Sequence, residues 1–205
     1  MKRLARTLSR QLARFRRNER GAAVVEFALI LPFLITLYMG SIEASSLFTV
    51  DRRVEVITST MADLVARWNP NEGVITSTTM RDYFNASKGI ITPYSNTGLK
   101  QVVSFLNVAA DGSAKVVWSC GFNGGAALSV NQAYALGTEM KRLVTGADDQ
   151  LKNGKAGFLV AASTSYSYKP VLGMVFTSAI NLQSRALFLP RFQQAVTAPN
   201  GGCPT

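Results

Sequence analysis

The stretch RRNERGAAVVEFALILPFLITLYMGSI, residues 16–42, decides how the rest of the chain is read. A basic segment meets a glycine, Gly21, and gives way to 21 residues, Ala22 to Ile42, that carry one charge, Glu26. At ~1.5 Å per residue a helix of that length spans roughly 30 Å, the thickness of a hydrocarbon core. A secretory signal has a shorter apolar core and ends in small residues, and Ile42-Glu43-Ala44 matches that poorly. The run therefore predicts a retained membrane helix. Basic residues precede it and none lies between Gly21 and Asp51, which predicts a cytoplasmic N-terminus and a body outside.

The net charge of +10 belongs mostly to the same junction. Residues 1–20 hold eight basic side chains against Glu19 and account for +7, leaving +3 for residues 22–205. A nucleic-acid interface would spread Lys and Arg over a folded surface among stacking aromatics, so no nucleic-acid partner is expected. Leu4, Leu8, Leu12 and Phe15 fall on one helical face, with arginines around the rest. Such a leader could lie on an anionic membrane surface, and its composition is also that of a transit peptide. The favoured reading is a solvated tail that sets orientation, with weak membrane contact.

The chain has no histidine, which removes the commonest general base and the commonest zinc ligand. Neither an SxxK motif nor a DTG or DSG signature is present, so an enzyme is the weakest reading, and no cofactor or metal is expected. Two cysteines, Cys120 and Cys203, suggest a disulfide if the body lies outside the cytoplasm; two unpaired thiols are the alternative.

Glu26 is costly within a membrane, by about 2.5–3.5 kcal/mol at mid-depth and less near an interface. It is either a tolerated interfacial acid or the partner of a cation. Cleavage after Gly21 would supply that cation as an α-amino group on Ala22, one helical turn away or on a neighbouring subunit. Gly21, four small or apolar residues, then Glu26-Phe27 resembles the type IV prepilin processing site. The longer phrase RGAAVVEFALILPFL resembles the TadE-like family, minor pseudopilins and pilus assembly proteins of the Tad (Flp, tight-adherence) type IV pilus system. The segments VAASTSYSYKPVLGMVF and RALFLPRF resemble the C-terminal part of the same family. The resemblance implies cleavage at Gly21-Ala22 by a prepilin peptidase, room for methylation of the new N-terminus, and a role for Glu26 in subunit alignment. Other pilins and pseudopilins and Tad secretion-platform proteins are the implied partners, at the inner membrane. The alternative is a membrane-tethered periplasmic binding or scaffold module that is neither processed nor built into a fibre. A DxSxS metal signature, carried by a related family, is missing.

Beyond the membrane Val50, Val54, Ile57, Met61, Leu64 and Trp68 form a seam of period 3.5, and Asn69-Pro70-Asn71 ends it. One helix from about residue 22 to 68 is predicted, with a kink or loosening at Pro32. The seam packs on the domain's own sheet or zips against a partner helix; a sheet that needs cover favours the first. Farther on, Ser77–Asn85 reads as a short helix capped by Ser77, and two strands flank Asp111-Gly112 as a hairpin. GFNGGA, residues 121–126, lacks the P-loop lysine and reads as a flexible turn. Gln132–Val144 reads as a helix and GADDQLKNGK as a polar loop whose acids lack calcium-ligand spacing. Gly157–Tyr168 and Ser178–Leu189 read as strands, and TAPNGGCPT as a loop tail.

The expected architecture is α+β and pilin-like. A basic cytoplasmic leader (1–21) precedes a transmembrane helix (22–50) and a helical stalk (51–70). A small periplasmic domain with an antiparallel sheet (71–205) completes the chain.

Overall fold

The computed structural model describes residues 21–138, 140–141, 157–170, 173, 177–192 and 194–204. The expected leader helix and the GADDQLKNGK loop lie outside the described residues. Helix α1, Ala22–Ala66, is continuous over 45 residues, about 68 Å at 1.5 Å per residue. It runs unbroken through Pro32, where the Thr36 hydroxyl donates to the Pro32 carbonyl at 2.9 Å. The stalk seam packs on the domain's own sheet. Val50, Val54, Ile57 and Met61 are buried as expected, but the stripe then shifts to Val65 and Ala66, and Leu64 is only half-buried. A strict 3.5 repeat belongs to supercoiled partners; a helix lying on a sheet keeps nearer 3.6, and the stripe drifts accordingly.

Five strands follow: β1 (Leu99–Val108), β2 (Ala114–Phe122), β3 (Ala133–Tyr134), β4 (Gly157–Tyr168) and β5 (Ile180–Phe188). They form one antiparallel sheet in the order β3-β2-β1-β4-β5. Helix α2, Ser77–Lys88, is capped one residue earlier than expected: Thr76, not Ser77, accepts from the Thr79 N–H at 3.1 Å. The expected helix at Gln132–Val144 does not form at its start. The Val116 N–H donates to the Gln132 carbonyl at 3.0 Å, and Ala133 and Tyr134 pair with Lys115 and Ala114. A sheet edge wins over local helix propensity there.

The sheet's inner face carries the core. Its membrane-near part joins Val50, Val54 and Ile57 to Leu99, Tyr166, Tyr168 and Leu182. The distal part joins Met61, Ala62, Val65 and Ala66 to Phe84 of α2, Val103, Phe105, Trp118, Cys120 and Val160. Each fully buried Val, Ile or Met contributes about 1.5–3 kcal/mol. A bulge at Val117, where Phe105 pairs with Trp118 but Leu106 with Val116, flips the side-chain parity of β2. Trp118 and Cys120 thus enter the inner core while Ala114 and Val116 join Leu106, Leu159 and Ala161 on the outer face.

The glycine turn is closely packed against its neighbours. A side chain on Gly121 would meet the Gly125 carbonyl oxygen at 2.0 Å, and one on Gly125 the Gln101 carbonyl oxygen at 2.2 Å. Asn123, at φ 53°, donates from its amide to the Asn96 and Leu99 carbonyls at 3.1 and 2.6 Å.

The tail is a strap rather than a free loop. The Arg191 N–H donates to the Ala66 carbonyl at 2.9 Å, and Val196 is buried with its carbonyl accepting from the Trp118 indole N–H at 2.7 Å. Asn200 pairs with Ile75 and Ser77, and Cys203 is joined to Cys120 with a Cα–Cα distance of 5.2 Å. The disulfide reading of the two cysteines is realised.

Candidate functional site

The site begins at the N-terminal end of α1. Gly21 is the N-cap of α1 and a side chain there would meet nothing within 4 Å. Glu26 and Phe27 follow in the first turns, both exposed, with Phe27 at 58%. Ala22 and Glu26 are one turn apart, as their spacing requires. Every described side chain from Ala23 to Tyr38 is exposed, including Leu29, Phe33 and Leu37. So large a continuous apolar surface does not stay in water. An 18-residue span in this part of the helix has a mean hydropathy of 2.0, and none of it is buried among the described residues. Met39 and Gly40 are half-buried, Ile42 is exposed, and the first buried residue is Glu43, which is 2% exposed.

Glu43 belongs to a buried polar corner at the membrane-near end of the domain. Burial pushes the Tyr168 phenol above its ordinary range, and neighbouring Tyr94 and Glu43 add to that. The Tyr166 hydroxyl donates to the Ser95 carbonyl at 2.9 Å. Arg53 reaches from α1 to the Ile90 carbonyl at 3.0 Å and to the Thr92 carbonyl, and lies 5.8 Å over the Tyr94 ring. At the far end, burial pushes the Asp63 carboxyl up, but hydrogen bonds from Arg67 and Arg191 outweigh it and hold the group below its ordinary 3.8. These contacts lock the stalk to the domain at both ends. Among the described residues no group of three or more His, Cys, Asp or Glu is placed to hold a metal ion.

One feature lay beyond sequence reasoning. On the outer face the register sets Lys100 beside Ser165 and Gln183, and Val102 beside Ser163 and Arg185. These side chains line a groove of about 290 Å³, walled by Gly124, Gly125 and Ala126. The two basic residues are 85 positions apart in sequence, and only strand pairing brings them together.

The arrangement defines an α+β protein whose one long apolar N-terminal helix fits a single-pass membrane anchor and whose second half is built into a five-stranded domain. The family model described as TadE-like protein matches residues 21–62, which fits a protein associated with the Tad pilus. The match starts at Gly21 and ends within the buried half of α1. No curated protein and no solved structure matches the chain.

Proposed function

We propose that this chain is a minor pseudopilin-like subunit for assembly of a Tad/Flp-type pilus. It is anchored in the inner membrane, with residues 1–21 cytoplasmic, 22–50 in the membrane, 51–70 as stalk and 71–205 in the periplasm. A prepilin peptidase cuts between Gly21 and Ala22. The new amine and Glu26 then align the subunit, with Phe27 beside it, against other pilins or pseudopilins on the Tad secretion platform. One observation carries this reading: the TadE-like match starts at the glycine that opens the uncovered half of α1.

Glu26 supports it physically. A carboxylate within an apolar segment is stabilised by a nearby cation, and the α-amine created by cleavage is the nearest such charge the chain can produce. The open space around Gly21 makes the test clean, because Gly21→Ala disturbs no packing. Co-expression with a prepilin peptidase should remove residues 1–21, read as a mass loss in the intact protein, and Gly21→Ala should slow or block it. An intact leader in cells with an active peptidase overturns the processing step. Glu26→Ala should insert normally and fail to support piliation; normal piliation would reduce Glu26 to a tolerated interfacial acid.

A further inference from the structure

We infer that the outer-face groove is a binding site for an acidic polysaccharide. The outer face is divided in two. Its distal half is apolar: Leu106, Val116, Leu159 and Ala161 are buried, with Leu128, Leu136 and Met140 packed over them. The membrane-near half is polar and open. There the cross-strand rows Lys100-Ser165-Gln183 and Val102-Ser163-Arg185 present two cations, two hydroxyls and an amide, and no acid is among the described residues that line the groove.

An ordinary solvated sheet face mixes charges of both signs. This one carries a single sign and stands beside a fixed wall. Gly125 is pressed against the Gln101 backbone and Asn123 is tied by two hydrogen bonds, so the wall holds its shape before any ligand arrives. Preorganisation of this kind lowers the entropic cost of binding.

The chemistry selects the ligand class. Lys100 and Arg185 lie two strands and one two-residue step apart, which puts their backbones on the order of 12 Å from each other. They match two anionic groups along one chain better than one small ion. Ser163, Ser165 and Gln183 donate and accept hydrogen bonds, which suits a ligand rich in hydroxyls. Among the described residues no Phe, Tyr or Trp lines the groove, so these residues offer no stacking platform for the bases of a single-stranded nucleic acid. The site does not depend on the pilus reading: it needs only the folded domain.

The test uses the full chain in detergent micelles, titrated with alginate as a carboxylated probe, heparin as a sulfated one, dextran as a neutral control and single-stranded DNA as a polyanion without sugar carboxylates or sulfates. Alginate or heparin should bind, more weakly as salt rises, and dextran should not. Lys100→Gln with Arg185→Gln should weaken binding at least about tenfold, as expected for loss of both charge contacts at one site. The control pair Arg52→Gln with Arg81→Gln removes the same charge from exposed positions elsewhere and should leave affinity within about twofold. Ser165→Asp, which keeps both cations, should also weaken binding. Equal loss in the groove and control pairs would reduce the effect to net charge and overturn the site. So would DNA binding as tight as the polysaccharides and equally sensitive to the groove variants, or no binding of either acidic probe.

Discussion

The two halves of α1 draw on similar apolar residues and meet opposite surroundings. From Ala23 to Tyr38 the helix carries the single charge of Glu26 and apolar residues all around it, and every described side chain is exposed. From Val50 to Ala66 it is apolar along one stripe, and the stripe is sealed against β4, β5 and α2 while Arg52 and Glu55 pair outside it at 2.7 Å. Coverage follows distribution rather than amount. An all-round apolar helix has no polar face to turn to water, so its partner is lipid or other helices; a one-sided helix needs only one sheet. One unbroken helix therefore joins two solvents.

The largest effect should come from exchanging the rules of the two halves. Ile57→Asp places a carboxylate in the sealed stripe and should unfold the domain, costing more than about 4 kcal/mol, while the chain stays in the membrane. Leu34→Asp should leave the domain's melting unchanged and weaken membrane retention. Melting in micelles together with alkaline extraction of membranes reads both, and a domain destabilised equally by the two variants would erase the distinction.

Next comes the clamp that holds the sealed half's partner in place. Cys203→Ser opens the bridge and should cost about 2–4 kcal/mol, read from urea unfolding. The strap should remain docked, because Val196, Arg191 and Asn200 hold it independently. Hydrogen exchange at the Asn200 amide as fast as in the unfolded chain would contradict that.

The smallest effect is at the distal end of the seam. Arg191→Gln removes one of two cations from Asp63, an exposed contact at 3.3 Å, and should cost about 0.2–1 kcal/mol at neutral pH. Since the folded Asp63 lies below its ordinary 3.8, its contribution is present above that value and is lost as pH falls through the lowered folded value. Wild type and variant should therefore converge in acid. A difference that persists there would mean Arg191 acts by packing.

What could be read from the sequence was what is local. The Asp111-Gly112 hairpin is contiguous: Gly112 takes φ 78° and Asp111 accepts from the Ser113 N–H at 2.8 Å. The first part of the α1 seam, Val50 to Met61, is legible for the same reason. What stayed hidden depends on register. The Val117 bulge, the mutual support of Gly121 and Gly125, and the meeting of Lys100 with Arg185 each require a neighbouring strand in its exact pairing. The strand at Ala133 has a helical local pattern, and its partner, Ala114-Lys115, lies some twenty residues back.

The Cys120–Cys203 bond also has a mechanical meaning. Load applied through α1 and carried to the end of the chain passes across the bridge instead of through the 83-residue interval it closes. That interval contains β4, β5 and most of the strap. Even with every hydrogen bond broken, it withholds roughly 270–300 Å of extensible contour. A tethered oxidised chain pulled at its two ends should stretch short by that length and regain it under reductant.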